Sequence, residues 1–369
     1  MNICILGSGI QGRVVAQDLA ESNHQVTVID NNQNNLKKNV ESLRITTKLF
    51  DVTNKEKLIK FIEEFDIVVG ALPSNLGFYL MKCAIKAGVD LVDLSYAAEN
   101  PFLLDKQAKK NKVRIVPDAG FAPGLSNILI GEAHRELGKI DNLRILVGGI
   151  PQNPHPPFNY KYTWSPSDLI AEYTRPARIL KHHKFLTVEA LSGIENFSIP
   201  KIGTLECFYT DGLRTLLHTF KDIQNIEEKT IRYAGHAELM KELLKYGFLP
   251  NEDNPFTNDQ IKPKDFILDF LNKELSKGDD LDLTVLLIDI KSRKQNRRYT
   301  CIDYYEKKDK TTSMARMTGY TCSIIVQYIK DYYDYGVIPP EYIGMTKKIC
   351  DAIKKELTKR HIKINTTEF

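Results

Sequence analysis

The stretch NICILGSGIQGRVVAQDLAESNHQVTVID, residues 2–30, decides the fold of the first part of the chain. Residues 2–6 are an apolar run of strand length, and Gly7-Ser8-Gly9-Ile10-Gln11-Gly12 follows without a break. Val14, Val15 and Leu19 recur at helical spacing through residues 13–21, and a second apolar run at 26–29 ends in Asp30. Strand, glycine turn, helix, strand and acid, in that order, make a dinucleotide-binding unit. Gly7 permits the tight turn, Gly9 lets backbone approach a pyrophosphate, and Gly12 lets the helix pack closely on the strand. The helix N-terminus presents N–H groups and a positive dipole end to the phosphates. Asp30 stands where a carboxylate accepts from a ribose 2′-hydroxyl, which favours NAD over NADP because a 2′-phosphate would be repelled. Asn31 and Asn32 add no cation, and Lys37 and Lys38 are the nearest that could offset the repulsion.

The alternation of strands and helices continues to residue 116. Strands are expected at 44–50, 66–71, 91–94 and 113–116, with helices at 55–64, 78–87 and 101–110. Six strands with helical crossovers form a doubly wound parallel sheet, an α/β fold. Cofactor contacts are expected from the carboxyl ends of its strands. The residues placed there are Gly7, Ser8, Gly9, Ile10, Gln11, Gly12, Asp30 and Asn31, then Asp51 and Val52, Ala71, Leu72 and Pro73, and Leu94 and Ser95. Asp51-Val52-Thr53 serves equally as the start of a capped helix.

At 369 residues the chain accommodates more than one core, and the reading is a nucleotide domain at 1–125, a substrate domain at 126–313 and returning helices at 314–369. The glycine- and proline-rich PDAGFAPGLS, residues 117–126, leads into the second domain. Strand-like runs at 143–147, 204–210, 229–234, 281–290 and 298–305, with helices at 166–174, 212–220, 236–246 and 264–275, read as α+β with a mixed sheet. Residues 251–262 read as a surface loop. Helices at 314–333 and 340–360 are expected to pack back on the nucleotide domain.

Net charge +4 comes from 51 basic and 47 acidic residues, a near balance that calls for no nucleic acid. The six cysteines are scattered, with no CxxC and no HExxH, which fits a reducing compartment and no metal site; His182-His183 reads as an exposed turn. The first strand occupies the N-terminus and no apolar run reaches membrane-spanning length, so a cytoplasmic protein without membrane contact is expected. Open sheet edges and the C-terminal helices suit a homodimer.

Motifs beyond the glycine turn carry a family resemblance. PDAGFAPGLSN (117–127), GGIPQ (148–152), TWSPSDLIAEYTRPA (163–177), EALSGIE (189–195), TLECFYTDGL (204–213) and EKTIRYAGH (228–236) resemble the saccharopine dehydrogenase-like family, most closely its lysine 6-dehydrogenases. The likeness is clear over residues 1–250. It implies oxidative deamination of the ε-amine of L-lysine with NAD, giving a semialdehyde that cyclises to a piperideine carboxylate. Saccharopine-cleaving members tend to carry an acid within the GxxPG loop, where this chain has Ala122. A reductive amine–semialdehyde dehydrogenase of the saccharopine or carboxyspermidine type and a non-catalytic NAD-binding sensor are the alternatives.

Such a reaction needs a group for the α-carboxylate, one for the α-ammonium and a base for the ε-ammonium. An arginine fork suits the carboxylate, from Arg175, Arg178 or Arg232, with Arg232 first. His236 is the histidine inside a matched motif and titrates near neutrality, which makes it the candidate base, or else a helix-start residue. Asp168 and Asp211 suit an ammonium or cap helices. Tyr209 and Trp164 suit the lysine stem or a buried sheet position, and Cys207 reads as core.

Overall fold

A computed structural model describes residues 1–39, 42–249 and 263–369. The polar stretch read as a surface loop, 251–262, lies outside the described residues. The chain forms two compact units, Met1–Glu136 with Ala315–Ile362 and Leu137–Met314 with Lys363–Phe369. The first unit takes in the glycine-rich loop and nearly all of the following helix, so the chain changes unit at residue 137, past the change read at 125.

The first unit runs β1 (Asn2–Leu6), α1 (Ile10–Glu21), β2 (Gln25–Asp30), α2 (Gln33–Leu36), β3 (Ile45–Leu49), α3 (Lys55–Ile62), β4 (Ile67–Gly70), α4 (Ser74–Ala87), β5 (Asp90–Asp93), α5 (Asp105–Lys110), β6 (Arg114–Val116) and α6 (Leu125–Leu137). β1 and β4 are apolar on both faces because helices cover both sides of a parallel sheet, and Ile3, Ile5, Leu6, Ile67, Val68 and Val69 are fully buried. α4 stops at Gly88, which takes the left-handed φ of +74° that a helix C-cap uses.

The second unit runs β7 (Ile140–Pro151), α7 (Pro166–Thr174), β8 (Ala177–Lys181), β9 (Lys184–Val188), β10 (Glu195–Ile199), β11 (Gly203–Tyr209), α8 (Leu216–Thr219), β12 (Asn225–Tyr233), α9 (His236–Lys245), α10 (Pro263–Glu274), β13 (Asp282–Ser292) and β14 (Arg297–Tyr304). The chain then forms α11 (Ser313–Tyr328), β15 (Gly336–Val337), α12 (Pro340–Met345), α13 (Lys347–Lys359) and β16 (Asn365–Glu368).

Among the described residues, the sheet of the first unit has seven strands in the order β15-β6-β5-β4-β1-β2-β3, all parallel. This is the doubly wound α/β sheet read from the sequence, with one strand more than expected. The extra strand is only two residues long, too short for a periodicity to mark. The C-terminal helices pack back on this unit. Gly319 of α11 approaches α1 so closely that a Cβ there would lie 2.7 Å from Val14 Cγ1, and Arg360 binds Asp18 through two hydrogen bonds of 2.7 and 2.9 Å. The helix expected at 340–360 is two, because Thr346 between them is extended (φ −89°, ψ 96°).

In the second unit β10-β11-β12-β7-β13-β14-β16 form a mixed sheet. β12 and β7 run parallel, and the remaining neighbours along that path are antiparallel. β8 and β9 make a hairpin whose turn is His182-His183, both exposed and at positive φ, as the sequence implied. β8, β9, β10 and β16 were not foreseen; in β10 and β16 polar residues leave no run of apolar positions. The helix expected at 212–220 shrinks to α8. β11 and β12 separate two apolar clusters. Phe208 packs with Tyr173 of α7 and Met240 of α9, while Leu205, Cys207 and Ile231 pack with Leu146, Leu283 and Val285. This alternation along the two strands sets which face each of their polar side chains takes.

Candidate functional site

The turn after β1 shows which glycines the protein itself requires. A Cβ on Gly7 (φ +106°) would lie 2.2 Å from the Ala71 carbonyl oxygen, and one on Gly12 would lie 2.0 Å from the Gly7 carbonyl oxygen. Gly9 is different, for a Cβ there would meet nothing within 4 Å. Its backbone opens α1, whose first turn holds no acid and whose N-cap, being glycine, offers no side-chain acceptor. An uncapped helix N-terminus under an open glycine fits a dinucleotide pyrophosphate.

Asp30 is held in place at the end of β2. Its Oδ2 accepts from the Ser8 N–H (2.8 Å), and its Oδ1 accepts from the Asn32 N–H (2.8 Å) and from Asn35 Nδ2 (3.4 Å). Arg13 donates to the Ser8 carbonyl (2.9 Å) and lowers the local negative charge. Other positions expected to touch the cofactor also have partners within the protein. Asp51 binds the backbone and hydroxyl of Thr53 (2.9 and 2.8 Å), which holds its pKa low, while Asn54 caps α3. The Ser95 hydroxyl is bonded to the buried Asp93 carboxylate. Leu72 packs on the apolar core, and Pro73 is the N-cap of α4.

In the second unit the sequence candidates separate. β11 and β12 pair so that Phe208 lies opposite Thr230 and Tyr209 opposite Lys229, and opposed residues share a face. Arg232, Thr230 and Glu228 therefore point to the helix side. Tyr209 points to the other, where it donates to Glu227 (2.9 Å) and lies under the Lys229 ammonium (4.3 Å). Tyr209 does not join His236 and Arg232, contrary to expectation, because strand side chains alternate.

Arg232 is 3% exposed. Its Nη2 donates to Glu172 Oε2 (2.9 Å), its Nε to the Tyr173 hydroxyl (3.3 Å) and its Nη1 to the Ile231 carbonyl (2.9 Å). Tyr160 stacks under the guanidinium at 4.2 Å and accepts from Trp164 Nε1 (3.3 Å). Of the two aromatic residues expected along a substrate stem, Trp164 thus supports the tyrosine stacked on an arginine, and Tyr209 lies on the other face of the sheet. Tyr173 in turn lies 2.8 Å from His236 Nε2, and His236 Nδ1 lies 2.8 Å from the Phe158 carbonyl oxygen. A carbonyl only accepts, so Nδ1 carries the proton and Nε2 accepts from Tyr173. Burial, then the Arg232 charge, pull the His236 pKa down to about 3. His236 is therefore a neutral ring with both nitrogens engaged, which removes it from the position of base.

Arg178 and Asp211, read as a carboxylate fork and an ammonium site, bind each other: Nε and Nη2 of Arg178 donate to the two carboxylate oxygens at 2.8 and 2.9 Å. Arg175 is the C-cap of α7. Asp168 lies in the first turn of α7, its N–H bonded to the Ser165 side-chain cap (3.4 Å), on the same helical face as Glu172 one turn on. Cys207 is fully buried in the core. Two matched motifs are also explained by packing. A Cβ on Gly148 would lie 2.5 Å from the Ile231 carbonyl oxygen, and Glu206 caps α9 by accepting from the N–H groups of Gly235 (2.8 Å) and Ala237 (2.6 Å).

Residues the sequence reading passed over complete the polar row. Glu172 Oε1 accepts from Thr230 (2.6 Å), and Glu228 Oε2 lies 2.7 Å from Thr210 Oγ1 and accepts from the Gly212 N–H (3.1 Å). Their signal was present as the period-two series Glu228, Thr230, Arg232 and the four-residue spacing of Asp168 and Glu172. Among the described residues no group of three or more His, Cys, Asp or Glu could hold a metal ion, and no helix is long and apolar enough to cross a membrane.

Residues 3–116 match the family described as saccharopine dehydrogenase NADP binding domain, and residues 120–362 match that described as saccharopine dehydrogenase C-terminal domain. Saccharopine dehydrogenase (NADP(+), L-glutamate-forming) of Pyricularia oryzae is 24% identical over 304 residues, which cover 77% of this chain and 66% of that protein. The Saccharomyces cerevisiae enzyme of the same description is 25% identical over 296 residues, 76% of this chain and 66% of that one. An alpha-aminoadipic semialdehyde synthase of Arabidopsis thaliana is 27% identical over 251 residues, 64% of this chain and 23% of the relative. The chain thus spans about two thirds of these two fungal relatives and under a quarter of the plant protein. The apo structure of the L-Glu-forming saccharopine dehydrogenase from Saccharomyces cerevisiae shares the fold, with a TM-score of 0.79 at 20% identity over 100% of this chain and 99% of that one.

Proposed function

Because the chain belongs to the saccharopine dehydrogenase family, we propose that it is a pyridine-nucleotide-dependent oxidoreductase acting at a carbon–nitrogen bond of an amino acid. The specific reading is oxidative deamination of the ε-amine of L-lysine with NAD. The reaction balances as lysine ε-ammonium, NAD⁺ and water giving the 6-semialdehyde, ammonium, NADH and a proton. The observation that carries the reading is the dinucleotide cradle: open Gly9 above the α1 N-terminus, with Asp30 fixed by the Ser8 and Asn32 amides. Gly7–Gly12, the first amides of α1 and Asp30 would hold NAD, whose chemistry when bound is to accept hydride. The charge of Asp30 supports NAD over NADP, although the fungal relatives are described as NADP(+) enzymes.

Ala122 supports a primary amine over saccharopine, since it places no charge in the Gly120–Gly124 loop, the position where the family resemblance leads one to expect an acid in saccharopine-cleaving members. In the second unit the chemistry rests on Glu172, Asp168 and the residues bonded to them, with Arg232 as the fixed positive charge. A homodimer in the cytoplasm belongs to the same proposal. The second reading is a saccharopine-type amine–semialdehyde dehydrogenase, favoured by the activity for which the fungal relatives are named. Incubation with NAD or NADP and, in turn, lysine, ornithine, arginine and saccharopine separates the readings. Reduced nucleotide formed with lysine and NAD at alkaline pH upholds the first. Its absence, with turnover of saccharopine, replaces it with the second. Nucleotide binding with no turnover of any amine leaves a sensor.

A further inference from the structure

The helix-facing side of β12 carries a row of oxygens whose protons can be counted. Glu228 Oε2 lies 2.7 Å from Thr210 Oγ1, Thr210 Oγ1 lies 2.8 Å from Thr230 Oγ1, and Thr230 Oγ1 lies 2.6 Å from Glu172 Oε1. Each of these contacts has hydrogen-bond length and needs a proton. The hydroxyls of Thr210 and Thr230 bring one each. With both carboxyls ionised, one contact in the row would set lone pair against lone pair. The missing proton therefore sits on Glu172 or Glu228.

Electrostatics decide where it rests. Glu172 is bonded through its other oxygen to the Arg232 guanidinium at 2.9 Å, which favours its charge. Glu228 is enclosed, and its charged surroundings are Glu172 on α7, Asp211 beyond β11 with its partner Arg178 on β8, and Arg232 further along β12. Burial first, then the negative charges of Glu172 and Asp211, push the Glu228 pKa up to about 8, against its hydrogen bonds with the Thr210 hydroxyl and the Gly212 N–H. In the neutral-pH arrangement Glu228 donates to Thr210, Thr210 to Thr230, and Thr230 to ionised Glu172.

The geometry points to a proton relay in which Glu228 and Glu172 share one exchangeable proton through Thr210 and Thr230, with Glu172 exchanging it with the substrate amine and Glu228 holding it. Glu172 is the end with access, its side chain being 11% exposed. In the oxidative direction the doubly ionised pair takes the proton that the ε-ammonium sheds. The proton arrives on Glu172, and one proton then passes along each contact, from Glu172 to Thr230, from Thr230 to Thr210 and from Thr210 to Glu228. As many O–H bonds break as form, and no electrons are transferred. In the reductive direction the same steps run backwards and deliver a proton to the nitrogen. Glu172 would then be a catalytic acid–base, and Thr210, Thr230 and Glu228 positioning residues that act through it. The exchange with an amine rests on the amine-oxidising reading above; the shared proton does not.

Two measurements on the full chain test this. The first is the infrared carbonyl stretch of a protonated carboxyl, followed against pH in wild type and Glu228→Gln. Wild type should show a band at neutral pH that fades around pH 8, the ionisation of Glu228, and Glu228→Gln should lack it. No such band in wild type overturns the shared proton whatever the substrate. The second is a kinetic comparison of Thr230→Val, which breaks the row, with Thr230→Ser, which keeps the hydroxyl. Oxidative kcat in wild type and Thr230→Ser should rise with pH through the same ionisation. Thr230→Val should lose on the order of a hundredfold in kcat, the scale of a lost acid–base partner, with KM little changed. Equal kcat and equal pH profiles in Thr230→Val and Thr230→Ser overturn the relay. A carboxyl band in a protein that turns over no amine upholds the shared proton and overturns the substrate reading instead.

Discussion

Replacing Arg232 with methionine separates a structural charge from a substrate fork. The guanidinium is buried and neutralises Glu172 at 2.9 Å, donates to Tyr173 and the Ile231 carbonyl, and stacks on Tyr160 at 4.2 Å. Methionine fills much of the volume and none of the charge, so Glu172 is left inside without its partner. Breaking one side of a buried ion pair costs roughly 3–5 kcal/mol, most of it the stranded charge. For units of roughly 150–250 residues each kcal/mol moves the midpoint by about 2–4 °C, so the transition of the second unit should fall by roughly 6–20 °C. Glu172→Gln removes the stranded charge, and Arg232→Met with Glu172→Gln should therefore melt above Arg232→Met alone, a coupling that a double-mutant cycle reads directly. Scanning calorimetry of the four proteins is the assay. If Arg232→Met lies within about 1 kcal/mol of wild type, at the level of an exposed pair, and only KM for the amino acid rises, Arg232 is a fork for the substrate and the structural assignment is wrong.

Gly12→Val should abolish nucleotide binding in a fluorescence titration with NADH, because its Cβ would lie 2.0 Å from the Gly7 carbonyl oxygen; native affinity would show that the turn does not hold the cofactor. Asp30→Ser combined with Asn31→Arg exchanges a carboxylate for a phosphate-binding cation and should shift the NADP-to-NAD ratio of kcat/KM by on the order of tenfold or more; an unchanged ratio would remove Asp30 from the ribose site. Glu228→Gln should alter stability in one pH window only. The folded pKa of Glu228, about 8, is raised above its ordinary 4.5, so the stability it confers is complete below 4.5 and is lost as pH rises towards 8. The variant should therefore match wild type near pH 4.5 and melt progressively higher than it towards pH 8, and a constant offset across the range would refute the raised pKa. His236 acts oppositely: its folded pKa of about 3 lies below 6.5, so stability is complete above 6.5 and is lost on acidification by about 1.4 kcal/mol per pH unit, a slope that His236→Gln should remove from acid melts.

What the sequence disclosed and what it withheld divide along one physical line. The nucleotide sheet was legible because its strands are continuous apolar runs between helices of regular period, and because Gly7 and Gly12 are demanded by contacts only a few residues away or across one strand. Strands such as Glu195–Ile199 and Asn365–Glu368 escaped because their side chains are largely exposed, which erases the pattern while leaving the backbone pairing intact. The site in the second unit was half visible. Arg232 and His236 were picked out individually, but their chemistry is set by partners 59 to 78 residues away in sequence, Glu172, Tyr173 and Phe158, that no local spacing announces. Arg178 and Asp211 looked available for the same reason, each being read without the other, 33 residues along.

The face on which a residue lies was, by contrast, already written into β12. In EKTIRY, residues 228–233, the period of two places Glu228, Thr230 and Arg232 on one side and Lys229, Ile231 and Tyr233 on the other. Glu228, Thr230 and Arg232 share their side with Thr210 from the neighbouring strand and receive Glu172 from α7, which gathers two carboxyls, two hydroxyls and one guanidinium into one bonded row. The opposite side gathers Lys229 and Arg144 with Glu195 and Glu227, pairs that neutralise one another. Charge is balanced on that second side. On the first, Arg232 faces two glutamates, and the excess negative charge can be held there only by keeping one proton in the row. A buried proton that the fold itself requires is what an oxidation releasing a proton can exchange with, and this ties the local charge count of one strand to the reaction proposed for the chain.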